Sequence, residues 1–459
     1  TLISAGTLKL SGSGLLAGTA LTVNSGGTYD VDASDTIGSI AGAGSIDIAG
    51  SQILNVGGNN SSTSFTGVIS GAGALTKSGS GTLTLSGTST FTGATAITAG
   101  KIAISSNAAL GATNGATTVS SGAALSISGS ITVAEPITIS GTGISSGGAI
   151  VFTGGANTYS GAISLGATST IVSSSGTQTI SGATNGGQIL TITTSDDLVI
   201  SGIVGGSTEL SSYTINSSGD ATINVNVKTS GNQSYTASDG VALSGARTFE
   251  GGTITFASTT TGDNNLTITG NLDVDAAISG IAVLGVSGTS NLGANVSSTG
   301  TQTYTGAVTL SAAVTLTTTS DVITFSDTVN SANSTKRNLT LTTGSSSTEI
   351  NFDGIVGGSN SVGAIAITGV LDLNAAITAA TSVSVSGTSN IGADVTTTST
   401  QLYVGNLVLS AADRTLEGST VTTRGTLTGA YALTVTGNAV FGNSSSDDVV
   451  LTGSNKALA

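Results

Sequence analysis

The sequence predicts an all-β fold, a right-handed parallel β-helix (β-solenoid) of about twenty coils. Three observations lead there. Apolar side chains alternate with Thr, Ser and Gly; Gly, Ser or Asn breaks each run after about four to six residues; and whole blocks recur along the chain. A period of two sends one side chain inward and the next outward, as a half-buried strand requires.

The segment 63–105, TSFTGVISGAGALTKSGSGTLTLSGTSTFTGATAITAGKIAIS, shows the alternation clearly. Leu83 and Leu85 alternate with Thr82 and Thr84, and Ile102 and Ile104 flank Ala103. The Gly- and Ser-rich stretches between runs read as tight turns. The single proline, Pro136, stands in a VAEPITI context and marks a strand start or a turn.

Repetition supplies the coil. A step of one residue, an aromatic, one residue and Gly appears as Ser64-Phe65-Thr66-Gly67, Thr90-Phe91-Thr92-Gly93, Thr158-Tyr159-Ser160-Gly161, Thr303-Tyr304-Thr305-Gly306 and Leu402-Tyr403-Val404-Gly405. Phe65 and Phe91 are 26 residues apart, and Tyr159 and Ile180 of a degenerate copy are 21 apart. The spacing predicts a coil of roughly 20–26 residues with the aromatic at one angular position. Larger copies lie on top: 286–312 aligns without a gap on 385–411, with 17 of 27 positions identical, and GIVGGS at 202–207 returns at 354–359.

Composition agrees. A compact core stops growing near ~250–300 residues, whereas a solenoid grows in one direction only. The chain has 459 residues with Gly 68, Pro 1, 7% charged and 37% hydrophobic residues. Richness in Val, Ile, Leu and Thr separates it from a disordered Gly/Ser chain. A lone coil cannot dry both faces of its apolar layer, so every coil needs neighbours. No composition shift marks a linker.

Several functions are excluded or disfavoured. A net charge of -14 with ten scattered Lys and Arg argues against nucleic acid; Lys336 and Arg337 are the only basic neighbours. No run of 18 apolar residues crosses a bilayer as a helix. His and Cys are absent, which removes Ser-His-Asp and Cys-His catalysis and disulfides. TLISAGTLKL has neither an initiator Met nor a charged stretch leading into an apolar one, so the chain reads as an internal or processed piece.

Carboxylates remain. Asp196-Asp197 and Asp447-Asp448 are adjacent, which in a strand puts them on opposite faces, and they read as solvated turn residues. Asp273 and Asp275 share a face if their segment is a strand. No metal or cofactor is expected; the weak candidates for calcium are Asp30, Asp32 and Asp35, since hard cations take several oxygens. The Gly-Gly-x-Gly-x-Asp nonapeptide of calcium-binding β-rolls is missing. Tyr29, Tyr213 and Tyr431 read as core aromatics before ligand contacts.

The residues at 73–104, with Gly73-Ala74-Leu75-Thr76-Lys77, Gly79, the run 81–87 (GTLTLSG), Thr90 to Gly93 and the closing AGKIAI at 99–104, resemble the passenger-associated β-helix repeat of bacterial autotransporters. The closing element recurs at 5–10 as AGTLKL. The resemblance implies autotransporter-type passenger repeats over 1–176. The part from 177 to 459 looks like the shaft repeats of large filamentous-haemagglutinin-like adhesins and continues the same solenoid. Implied is an extracellular, surface-displayed structural rod of a Gram-negative bacterium, secreted by a type V route and not an enzyme. Its implied partners are copies of itself, a host or neighbouring cell surface, or polysaccharide. The alternatives are a carbohydrate-active β-helix enzyme and a divalent-cation-dependent self-assembling layer or fibre.

Overall fold

The computed structural model describes residues 1–12, 16–442 and 447–452. Strand makes up 55% of it, there is no α-helix among the described residues, and the parallel coils there number about 22 turns. The single 3-10 turn among the described residues is Ile144–Ser146. The chain divides into two compact units, Thr1–Gly240 and Val241–Ala459, and each is a stack of parallel coils.

In the first unit, each strand pairs in parallel with the strand one coil away, and register stacks like on like. Leu83, Ile102, Leu125, Ile150, Ile171, Ile192, Ile215 and Tyr235 form one inner column of successive Cα partners. All eight are buried. The intervening Thr82, Thr84 and Ala103 are only half-buried, as the alternation predicts. Coils in this column run from 19 residues (Leu83 to Ile102) to 25 (Leu125 to Ile150). The parallel ladder passes residue 177 without a break, since Thr158 pairs with Thr179 and Ile171 with Ile192. Pro136 immediately precedes the strand Ile137–Gly141, and its carbonyl accepts the Thr117 N–H at 2.9 Å.

In the second unit, Ile268, Val286, Tyr304, Phe325, Phe352, Leu373, Ile391 and Leu409 form one such column. Its aromatic rings stack: Tyr304 on Phe325 with centroids 5.4 Å apart, and Phe325 on Phe352 at 5.0 Å. Coils here are as short as 18 residues (Ile268 to Val286), below the 20–26 expected from the sequence.

The duplicated block corrects a second expectation. Tyr304 and Tyr403 occupy the same place in the aligned copies, yet they stand in different columns. Tyr403 pairs with Val385 and Thr423, and Val385 with Ile367. The Tyr304 column instead contains Ile391 and Leu409, whose counterparts in the first copy, Leu292 and Leu310, pair with each other on another face. The shift of 99 residues is therefore not a whole number of coils. The faces offer similar enough environments for a block to be reused one face short of five whole coils.

Glycine closes the aromatic step because coils touch through backbone there. A Cβ on Gly182 would lie 1.7 Å from the carbonyl oxygen of Gly161, and one on Gly405 would lie 2.4 Å from that of Gly387. No side chain fits at such a contact.

Candidate functional site

At the corners, where the chain turns between faces, the ladder leaves N–H groups over. Asn and Asp supply the missing acceptors. Asn295 Oδ1 accepts the Thr315 N–H at 2.8 Å, and its counterpart in the second copy, Asp394, accepts the Thr415 N–H at 2.9 Å. Asn60, Asn107 and Asn271 do the same for Ser80, Thr132 and Thr289. Replacement of Asn by Asp between copies is tolerated because only the shared oxygen is used.

A second corner device is fully buried. Val-x-[Ser/Thr]-x-x-x-Gln-x-Tyr occurs three times, ending in Gln233-Ser234-Tyr235, Gln302-Thr303-Tyr304 and Gln401-Leu402-Tyr403. In each the tyrosine hydroxyl donates to the glutamine Oε1, at 2.8, 3.0 and 3.0 Å. The Gln302 amide donates to Val296 O, Ser298 Oγ and Thr317 O, and the Gln401 amide to Val395 O, Thr397 Oγ1 and Glu417 O. The Ser or Thr hydroxyl donates onward to the carbonyl two residues later, as Thr229 does to Gly231, Ser298 to Gly300 and Thr397 to Ser399. The sequence signal is the recurring Gln two residues before Tyr, less conspicuous than the Gly that follows the aromatic step.

The carboxylates singled out from sequence take separate places. Asp35 is buried and turned inward, accepting from the Tyr29 hydroxyl at 2.7 Å and the Leu16 N–H at 3.2 Å. Burial, followed by the bond to Asp35, pushes the Tyr29 phenol well up. Asp30 and Asp32 instead face Lys9, whose ammonium lies 3.4 Å from Asp30 and in contact with Asp32. The hydrogen bond from Lys9 holds the Asp32 carboxyl down. The three candidates thus fall into two groups, one inside and one outside, and among the described residues no three acidic side chains converge to hold a metal ion.

Asp273 points outward from the strand Leu266–Val274, bonded to Asn291 at 2.8 Å and Thr255 at 3.3 Å. Asp275 lies past the strand end at a corner, where burial raises its carboxyl. Asp196 and Asp197 are turn residues that cap neighbouring coils through the Gly176 and Asp220 N–H groups. Asp447 and Asp448 directly precede the strand Val449–Leu451. Tyr29 and Tyr213 are core residues, and Tyr431 is half-buried.

Two buried ionisable groups went unrecognised in the sequence. Lys77 is 1% exposed, and its ammonium donates to the carbonyls of Ser78 at 2.6 Å, Gly79 at 2.8 Å and Ala99 at 3.3 Å; burial lowers its pKa. Glu135 is 3% exposed and neither carboxyl oxygen has a partner; burial pushes it up to about 7.

Fold and interior together define the class: a parallel β-solenoid repeat protein in which inward groups such as Gln401 and Lys77 serve its own backbone. Within it, residues 75–104 match the passenger-associated-transport-repeat family, a structural repeat characteristic of autotransporter passenger domains and not an enzyme family. The matched stretch holds the strands Ala74–Lys77, Thr82–Leu85, Thr95–Ile97 and Lys101–Ile104, with Leu75 paired to Thr95 and Leu83 to Ile102, so it exceeds one coil. No curated protein and no solved structure matches the chain. No helix among the described residues is long and apolar enough to cross a membrane.

Proposed function

We propose that the chain is a non-enzymatic structural shaft of an extracellular, surface-displayed bacterial protein, delivered by a type V (autotransporter-like) route and acting as the stalk of an adhesin or fibre. One observation carries the reading: the inward Gln401, Lys77 and Asp35 are engaged with the chain's own backbone and side chains. Such groups stiffen a scaffold and leave little for a substrate. The transport-repeat match at 75–104 supports the route and the location. Copies of itself, a cell surface or a polysaccharide are the partners that suit a hydroxyl-rich outer face.

Two measurements test it. Expressed within its parent reading frame in a Gram-negative host, the chain is expected to bind added antibody on intact cells; retention inside would overturn the location. Incubated with a panel of polysaccharides, the purified chain is expected to release no oligosaccharide, and release would establish an enzyme.

A further inference from the structure

Lys336 and Arg337, the one basic pair in an acidic chain, are placed unlike the other described basic residues. Lys9, Lys101, Lys228, Arg247 and Arg414 stand in ladder strands, and Lys77 is buried. Arg424 sits on a three-residue corner, with its N–H held by the Tyr403 carbonyl at 2.8 Å. Lys456 lies outside the described residues.

The strands Val329–Ser331 and Leu339–Thr343 are joined by residues 332–338. Ala332 to Lys336 are all exposed. Ala332 is tied to the coil below through the Leu310 carbonyl at 2.9 Å, and Arg337 to the coil above, its carbonyl accepting the Gly363 N–H at 2.7 Å. Among the described residues, 333–336 make no hydrogen bond to either neighbouring coil; the Thr335 N–H turns back onto Asn333 Oδ1 at 2.9 Å. Among the described residues this is the single place where an exposed lysine ends a run, 333–336, that no neighbouring coil holds; drawing out the far side of the bond costs the Arg337 N–H bond to Ser331 Oγ at 3.0 Å and the bonds of Arg337 and Asn338 to the neighbouring coils.

We propose that the Lys336–Arg337 bond is a processing site for a trypsin-class serine protease, whose acidic specificity pocket takes a Lys or Arg side chain. Proteolysis needs an extended stretch on both sides of the bond, so cleavage follows the segment that opens most readily. The step adds water across the peptide bond, leaving a carboxylate on Lys336 and an amine on Arg337, with no other co-reactant. Both new ends stay anchored. Val329 pairs with Val308, and Leu339 pairs with Val314 and Ile365, so the nick cuts the covalent chain and leaves the coil in place.

The test is limited digestion of the full chain with trypsin, read by mass spectrometry and by native and denaturing separation. The expected first product is cut after Lys336, elutes with the intact protein under native conditions and splits into two fragments in denaturant. A K336Q/R337Q variant is expected to lose that cut, and R424Q to keep it. An earlier cut at any other basic residue, resistance of the wild-type chain, or fragments that part without denaturant would each overturn the proposal.

Discussion

The hydroxyl of Tyr403 donates to Oε1 of Gln401 at 3.0 Å inside the second unit, and the bond recurs at the same length between Tyr304 and Gln302 on a different face. The arrangement therefore belongs to the corner and not to a position on the stack. Tyr403→Phe removes one partner and leaves Gln401 Oε1 short of a donor, costing about 1–2 kcal/mol. Gln401→Leu strips the Val395 and Glu417 carbonyls as well and is expected to cost more. Both are read as a lower urea midpoint at unchanged slope.

Gly405→Ala places a methyl group 2.4 Å from the Gly387 carbonyl oxygen and 2.5 Å from its carbon. Backbone on both sides has to move, so the substitution is expected to destabilise the unit by about 1–3 kcal/mol or more. Ala at Gly285, where an added Cβ meets nothing within 4 Å, is the control and should leave the urea midpoint nearly unchanged.

Ser290 and Ser389 hold the same place in the duplicated blocks, are buried, and have hydroxyls without a partner. Ser389 stands between Leu371 and Leu407, a column that has no use for a donor. Ser389→Ala is expected to raise stability by roughly 1 kcal/mol, since the folded state no longer desolvates an unpaired hydroxyl. A lower melting temperature would show that the hydroxyl does more than its surroundings indicate.

The strands were legible because period-two alternation is written directly in residues such as Leu83, Leu85, Ile102 and Ile104, all of which are buried. Corners were not. Asn295 and Gln302 look like any polar loop residues until register brings the Thr315 N–H and the Thr317 carbonyl of the next coil beside them. Asp30, Asp32 and Asp35 part company for a related reason. Closeness in sequence says nothing about a corner that turns Asp35 inward to Tyr29 while Asp30 and Asp32 face Lys9 outside.

Glu135 gives the sharpest pH dependence. It continues the inward alternation of Ile131 and Val133 and precedes Ile137, and like them it is buried. The adjoining titratable group is Tyr159, whose hydroxyl donates to the Glu135 backbone carbonyl at 2.7 Å and whose pKa burial drives up, away from this range. Burial raises the Glu135 carboxyl from 4.5 to about 7, so the folded chain binds that proton more tightly than the unfolded chain. The resulting stability is fully present below about pH 4.5 and is lost as pH rises through about 7, amounting to roughly 3 kcal/mol. Glu135→Gln cannot ionise and should abolish this slope. Urea midpoints of the two proteins, compared between pH 5 and pH 8.5, are expected to converge at the acid end or favour the wild type, and to favour the variant at the alkaline end. Parallel pH profiles would mean that Glu135 is charged throughout and finds a partner in solution.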